Sequence, residues 1–228
     1  MGIDNINTSS MQVSSLFRPG NSIAYEYLSE LEFPWEALPQ IASYVKVIGA
    51  GLDVSEYEVR PNNVWIHKSA TIAPTAHIGV NVIIGAEAEV RHCAFIRNDV
   101  IVGCNAVIGN STELKNVILF DSVQVPHYNY VGDSILGYKS HLGAGAITSN
   151  VKSDGSQVFV CCADERVATY LKKFGAILGD NVEVGCNAVL NPGTIIGSGT
   201  TVYPLSSVRG FISANSIYKS VDEVITKR

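Results

Sequence analysis

The stretch Ile66-His67-Lys68-Ser69-Ala70-Thr71-Ile72-Ala73-Pro74-Thr75-Ala76-His77-Ile78-Gly79-Val80-Asn81-Val82-Ile83-Ile84 decides the fold by its period. Every sixth residue from Ile66 is a branched aliphatic: Ile66, Ile72, Ile78, Ile84, Val90, Ile96, Val102, Ile108 and Leu114. Four residues after most of them stands a small or β-branched residue, as at Ala70, Ala76, Val82, Ala88, Ala94, Val100, Ala106 and Thr112. The register returns at Leu178, Val184, Leu190, Ile196, Val202 and Val208. Neither a helical period of 3.6 nor a strand period of 2 gives this spacing. A triangular coil does: each hexad is one short strand and a corner, and three hexads close a turn of about 18 residues. The aliphatic fills the interior, and stacked turns bury what no single repeat could. The chain is therefore predicted to be an all-β, left-handed parallel β-helix.

Three segments leave the register. Residues 1–62 lack it and hold two candidate helices, about Ser22 to Glu30 and Trp35 to Val47, read as a cap or partner surface. The coil is placed over 63–215, with a polar insertion at 149–174 and a slip between Leu114 and Leu142 around Pro126. Residues 216–228 form a C-terminal tail, expected to be a short capping strand or helix. Insertions at the corners of such a coil commonly carry function.

Composition narrows the partners. The 228 residues carry a formal net charge of −5, which points away from nucleic acid and from anionic membrane. Apolar runs are short and broken by Gly, Asn or charge, so no span is expected. Met1 to Ser10 is polar and shows no signal pattern. The five cysteines form no C-x-x-C. The histidines lack a zinc spacing, so no metal is expected. A reduced, cytoplasmic protein is the plain expectation.

The repeat also places charges. Arg97 and Lys115 are 18 apart and each follows a core aliphatic, so both fall in the same corner slot of neighbouring turns. Stacked about 4.8 Å apart they repel, and a phosphate between them reverses the sign. Two splayed, solvated cations satisfy the same spacing. On the repulsion argument, Lys115→Ala stabilises the empty protein. His127 follows Pro126 in the slipped region, two faces further round.

Three runs carry a resemblance: Gly109-Asn110-Ser111-Thr112-Glu113-Leu114-Lys115-Asn116, Pro126-His127-Tyr128-Asn129-Tyr130-Val131-Gly132-Asp133-Ser134, and Leu142-Gly143-Ala144-Gly145-Ala146-Ile147-Thr148-Ser149-Asn150. Their order and spacing resemble the acetyltransferase domain of the bifunctional enzymes that make UDP-N-acetylglucosamine, the archaeal type above all. There a basic pair also precedes a Gly-Ala-Ile-Ile-Gly-Asp run, as in Lys172-Lys173-Phe174-Gly175-Ala176-Ile177-Leu178-Gly179-Asp180. The likeness covers about residues 64–212.

The resemblance implies acetyl transfer from acetyl-CoA to an amino-sugar 1-phosphate of the glucosamine-1-phosphate type, as in UDP-N-acetylglucosamine and cell-envelope biosynthesis. It makes His127 the general base and Tyr130 a substrate contact. Arg97 and Lys115 hold the sugar phosphate, with Asn150 at the sugar. Ala144, Cys186 and Pro204 line the acetyl-CoA side. Lys172 and Lys173, ending the insertion, are candidates for the phosphates of CoA; a solvated lysine pair reads the same sequence. Bacterial relatives have Asn at His141 and Tyr at Val151, so His141 is placed at a sugar that can differ from theirs. No Gly-rich nucleotidyltransferase loop occurs, and residues 1–62 are too few to hold that domain. Such coils associate as homotrimers with sites between subunits. Competing readings are an acyltransferase on a nucleotide-linked amino sugar and a non-catalytic, sugar-nucleotide-binding regulatory subunit.

Overall fold

The hexads become short strands and bent corners, some strands running on through a corner, in the computed structural model of the chain, which describes residues 8–162 and 165–227. The polar residues 1–7, the last residue, and two residues of the insertion, 163 and 164, lie outside the described residues. The strands stack in parallel into a left-handed β-helix. One face runs through eight turns, from Val64–His67 to Phe211–Ile212. The predicted aliphatics fill the interior: Ile84, Ile96, Val102, Ile108 and Leu114 are fully buried. Corners turn through left-handed residues, among them Asn81, Asp99, Asn105, Asn116 and Asn181. Asn and Asp tolerate that conformation better than other side chains with a Cβ.

The slip has a simple cause. Ile96 pairs with Leu114, a step of 18, but Val100 pairs with Val117, a step of 17. The corner between Leu114 and Val117 has two residues, Lys115 and Asn116, where the preceding turn has Arg97, Asn98 and Asp99. One residue is missing, and the later aliphatics move with it. Val125 rather than Pro126 then stacks on Ile108.

The N-terminal segment covers one face of the coil. Ile83, Ile101, Ile118, Ile135, Ile177 and Ile195 each precede a core aliphatic on that face, and by strand alternation they point outward. All six are fully buried. They share one hydrophobic cluster with Met11, Leu16, Phe17, Leu28, Trp35, Leu38, Ile41 and Val45. Full burial of each isoleucine is worth about 1.5–3 kcal/mol, so this face needs its cover. The helices are shorter than expected, at Tyr25–Ser29 and Ile41–Ala50. Pro34–Gln40 is a 3₁₀ helix. Pro39 has no N–H to give, so the α-helix begins only at Ile41. Polar anchors tie the segment to the coil. Asp180 N–H and Ser198 Oγ donate to Leu16 O, at 3.0 and 2.9 Å. The Asp180 carboxylate accepts from Arg18 N–H (3.0 Å) and Tyr138 N–H (2.9 Å).

The insertion differs from the polar loop expected. It contains an antiparallel hairpin, Phe159–Cys162 with Glu165–Ala168. Its inward side chains Val158 and Val160 are fully buried. A second antiparallel pair, Ser216–Ser220 with Glu223–Thr226, closes the C-terminal end over Tyr218.

Candidate active site

Two neighbouring corners and the face between them gather most of the sequence-selected residues. At the first corner, Gly145 N–H donates to His127 O (3.0 Å), Asn187 N–H to Ala144 O (2.8 Å) and Leu205 N–H to Cys186 O (2.9 Å). Each bond joins the residue after one position to the position on the preceding turn. His127, Ala144, Cys186 and Pro204 therefore stand in one column, about 4.8 Å per turn. The following residues are all left-handed: Tyr128, Gly145, Asn187 and Leu205 have φ of 52°, 71°, 55° and 61°. The bend turns the column outward. His127 is exposed, and among the described residues no group of the chain bonds its imidazole. Cys186 is also exposed.

Asn129, to which the motifs assign no role, fixes this corner. It is 2% exposed. Its Oδ1 accepts from His127 N–H at 3.1 Å. Its Nδ2 donates to Gly143 O (2.8 Å) and Ala146 O (3.1 Å). One buried amide thus clamps the His127 turn to the Ala144 turn.

The second corner holds the cations. Their like-charge repulsion, expected from spacing, does not arise, because each has a carboxylate of its own. Arg97 Nη1 lies 2.9 Å from Glu113 Oε1. Lys115 Nζ lies 2.9 and 3.1 Å from the two oxygens of Asp133, whose side chain is 5% exposed. Asp133 also accepts from Asn116 Nδ2 (3.0 Å) and Asn150 Nδ2 (2.5 Å). Asn116 reaches on to Leu38 O in the N-terminal cover (3.0 Å), so the cluster is tied to that segment. Asp133 stands 18 residues after Lys115, the same count that aligns Lys115 with Arg97, so the spacing offered this partner as well and only the second cation was taken from it. Glu113 sits in the quoted motif, and only its outward position shows its pairing.

Between the corners runs an open face. Its outward residues include Phe95, Glu113, Tyr130 and Ile147; Phe95 is 42% and Ile147 37% exposed. Tyr130 lies at its centre, folded over Gly132, where a Cβ would meet the hydroxyl at 2.6 Å. Burial raises the Tyr130 hydroxyl above its ordinary pKa, helped by the charges of Asp133 and Glu113, while Asn150 and Arg97 act the other way. The hydroxyl is therefore a neutral donor near pH 7, ringed by Arg97, Asn150 and the two carboxylates. Arg97, Lys115, Tyr130 and Asn150 are brought together.

Three selected residues fall elsewhere. His141 is on the next face, round the first corner from Tyr130, with Nδ1 2.8 Å from Glu183 Oε2. Lys172 and Lys173 are exposed where the insertion rejoins the coil at the cation corner; Gly175 N–H there donates to Asp133 O (2.8 Å). They are one face away from the Cys186 and Pro204 column, and one chain does not bring the two together. Among the described residues no cluster of three His, Cys, Asp or Glu could hold a metal, and no helix is long and apolar enough to cross a membrane.

The profile of the family described as the GMPPB C-terminal domain matches residues 86–201. "Bifunctional protein GlmU" of Methanococcus aeolicus is 31% identical over 203 residues, 88% of this chain and 49% of that protein. A "Bifunctional sugar-1-phosphate nucleotidylyltransferase/acetyltransferase" of Sulfurisphaera tokodaii is 30% identical over 126 residues, 55% of this chain and 31% of that one. The chain thus spans half or less of these relatives. Among solved structures, the acetyltransferase domain of PglB from Neisseria gonorrhoeae FA1090 aligns with 71% of this chain and 56% of its own, at 19% identity and a TM-score of 0.31.

Proposed function

Because the chain belongs to the family described as the GMPPB C-terminal domain, we propose that the column and cation corner form one site, which transfers acetyl from acetyl-CoA to an amino-sugar 1-phosphate. The family description names no reaction. Support for acetyl transfer comes from the motif likeness and from relatives called acetyltransferases. The observation that carries it is the geometry: a free imidazole in column with Ala144, Cys186 and Pro204, one open face from Arg97, Lys115, Tyr130 and Asn150.

The chemistry follows from that layout. A sugar on the open face turns its phosphate toward Arg97 and Lys115 and its amine toward His127. The neutral amine attacks the thioester carbonyl and an N–C bond forms. His127 takes the proton the nitrogen must lose. The tetrahedral intermediate collapses with cleavage of C–S; the amide stays on the sugar, and the departing CoA thiolate takes up the proton that His127 removed and leaves as the thiol. The Ala144 N–H donates to no group of the described chain and is placed to meet the oxyanion. The carbonyl sits on the column, the thiol tail runs along Cys186 and Pro204, and Tyr130 orients the sugar. The open face encloses little alone, so a second copy supplies the other wall, as a homotrimer arranges.

One observation favours a second acceptor class. Arg97 and Lys115 already hold carboxylates, and a terminal phosphate must share or displace them. A nucleotide-linked amino sugar, with its charge further from the ring, avoids that exchange. Thiol release from acetyl-CoA with glucosamine 1-phosphate, glucosamine and a UDP-linked amino sugar tests the reading. We expect the phosphorylated monosaccharide to be fastest. Thiol release with none of the three contradicts acetyl transfer.

A further inference from the structure

The inserted hairpin builds a second cationic site against the coil. Its outward side carries Phe159, Cys161 and Arg166, with Cys161 directly across from Arg166. The hairpin backbone rests on two corner glycines of the late turns. A Cβ at Gly193 would meet Phe159 O at 2.7 Å, and one at Gly210 would meet Cys161 O at 2.4 Å. Both glycines also have positive φ, 81° and 72°, so the close approach is built in. Arg209 precedes Gly210, and Arg166 and Arg209 therefore flank Cys161 from the hairpin and from the coil. With Lys152, Phe159, Pro192 and Gly210 they line a hollow of about 210 Å³. A second hollow of about 310 Å³ continues it, sharing Lys152, Pro192 and Arg209.

Cations gather in this groove on a chain that is acidic as a whole. The sequence has more acids than bases, 21 to 16, and Arg60, Arg91 and Arg97 each hold a carboxylate. Arg166 and Arg209 hold none among the described residues, though they share one groove. Among the described residues Asp154 is the one acid on these walls, and it faces Lys152 at 3.8 Å. Two guanidiniums and an ammonium around one hollow favour an anion with several oxygens in fixed geometry. The Phe159 ring, 38% exposed at the edge, offers a flat apolar wall for a base.

We propose that this groove binds the diphosphate of a nucleotide. Arg166 and Arg209 hold the phosphate oxygens from opposite sides, Lys152 adds a third charge, and Phe159 packs against the base. Two sources share this chemistry: the ADP end of an acyl-CoA and a nucleoside diphosphate carrying a sugar. The groove is on the cation corner, one face from the column proposed to take the acetyl group.

Calorimetric titration of the full chain with inorganic pyrophosphate, UDP and CoA tests the proposal without turnover, so it stands or falls apart from the acetyltransferase reading. We expect UDP or CoA to bind more tightly than pyrophosphate and all binding to weaken with salt. Arg166→Gln and Arg209→Gln should each weaken binding about tenfold, as loss of a charge-assisted contact does. Arg209→Lys keeps the charge and should recover part of the loss, while Arg60→Gln at the far end of the coil should change nothing. CoA binding that depends on both arginines assigns the groove to the donor; UDP binding that does so assigns it to a sugar nucleotide. No binding by any of the three, or binding indifferent to both arginine variants, overturns the proposal.

Discussion

Replacing Lys115 with methionine separates the spacing argument from the folded one. If two stacked cations repel, removing one stabilises the protein. The structure demands the opposite. Lys115 Nζ sits 2.9 Å from Asp133 Oδ1, and the two side chains are 18% and 5% exposed. At that distance the attraction is about 6 kcal/mol for an effective dielectric of 20, before the cost of desolvating both groups. Breaking a fully buried pair by removing one partner costs about 3–5 kcal/mol. Here Asn116 and Asn150 still donate to Asp133, which moderates the loss. We expect Lys115→Met to cost about 2 kcal/mol, in the range for a lost charge-assisted hydrogen bond. In a chain of this size that lowers the melting midpoint by about 4–8 °C. Asp133→Asn should cost a similar amount, and the double variant less than the sum of the singles, since the pair is coupled. Thermal and urea unfolding of the four proteins decide it. A Lys115→Met protein as stable as the parent or more so refutes the pairing and restores the repulsion argument.

Three further outcomes follow from named contacts. Arg97→Ala should weaken a phosphorylated amino sugar far more than its unphosphorylated counterpart, read as the two KM values; equal losses assign Arg97 to holding Glu113. Alanine at both Lys172 and Lys173 should raise the apparent acetyl-CoA constant and flatten its salt dependence, provided a neighbouring copy brings the pair to the column; an unchanged constant makes them ordinary surface lysines. Burial raises the Asp180 carboxyl above the ordinary range, against the pull of its Arg18 and Tyr138 N–H donors. A carboxyl with a raised folded pKa contributes its stability while protonated, so that contribution falls as pH rises from about 3.9 through the folded value. Asp180→Asn should flatten this part of the unfolding profile above about pH 3.9, and an identical slope in parent and variant refutes it.

The interior of the coil was legible because its rule is one residue in six. The isoleucine row under the N-terminal cover is written in the sequence too, in a different signal. Only the face of Ile83, Ile101, Ile118, Ile135, Ile177 and Ile195 puts an isoleucine directly before so many core aliphatics. A paired aliphatic on one face of three says that this face is covered. The Lys115–Asp133 pair obeys the same 18-residue count as Arg97 and Lys115, so it was open to the sequence and was passed over. What residue number could not give was the local geometry, because across the shortened corner Lys115 stacks on Gly132, a step of 17. The carboxylate reaches the lysine because Asp133 itself is the left-handed corner residue, with φ of 46°. The hairpin was hidden for a related reason. Val158 and Val160 alternate with Phe159 and Cys161 over too few residues to stand out in a polar stretch. Its landing on Gly193 and Gly210 is a tertiary contact that no local pattern records.

The central claim is that His127 removes the proton from the attacking amine. Its most direct test is single-turnover acetyl transfer by His127→Ala beside the parent, at saturating acetyl-CoA and amino-sugar phosphate and across pH. The rate should fall by about 10²–10⁴, with acetyl-CoA binding and the unfolding midpoint kept. A His127→Ala rate equal to the parent's at every pH contradicts the claim.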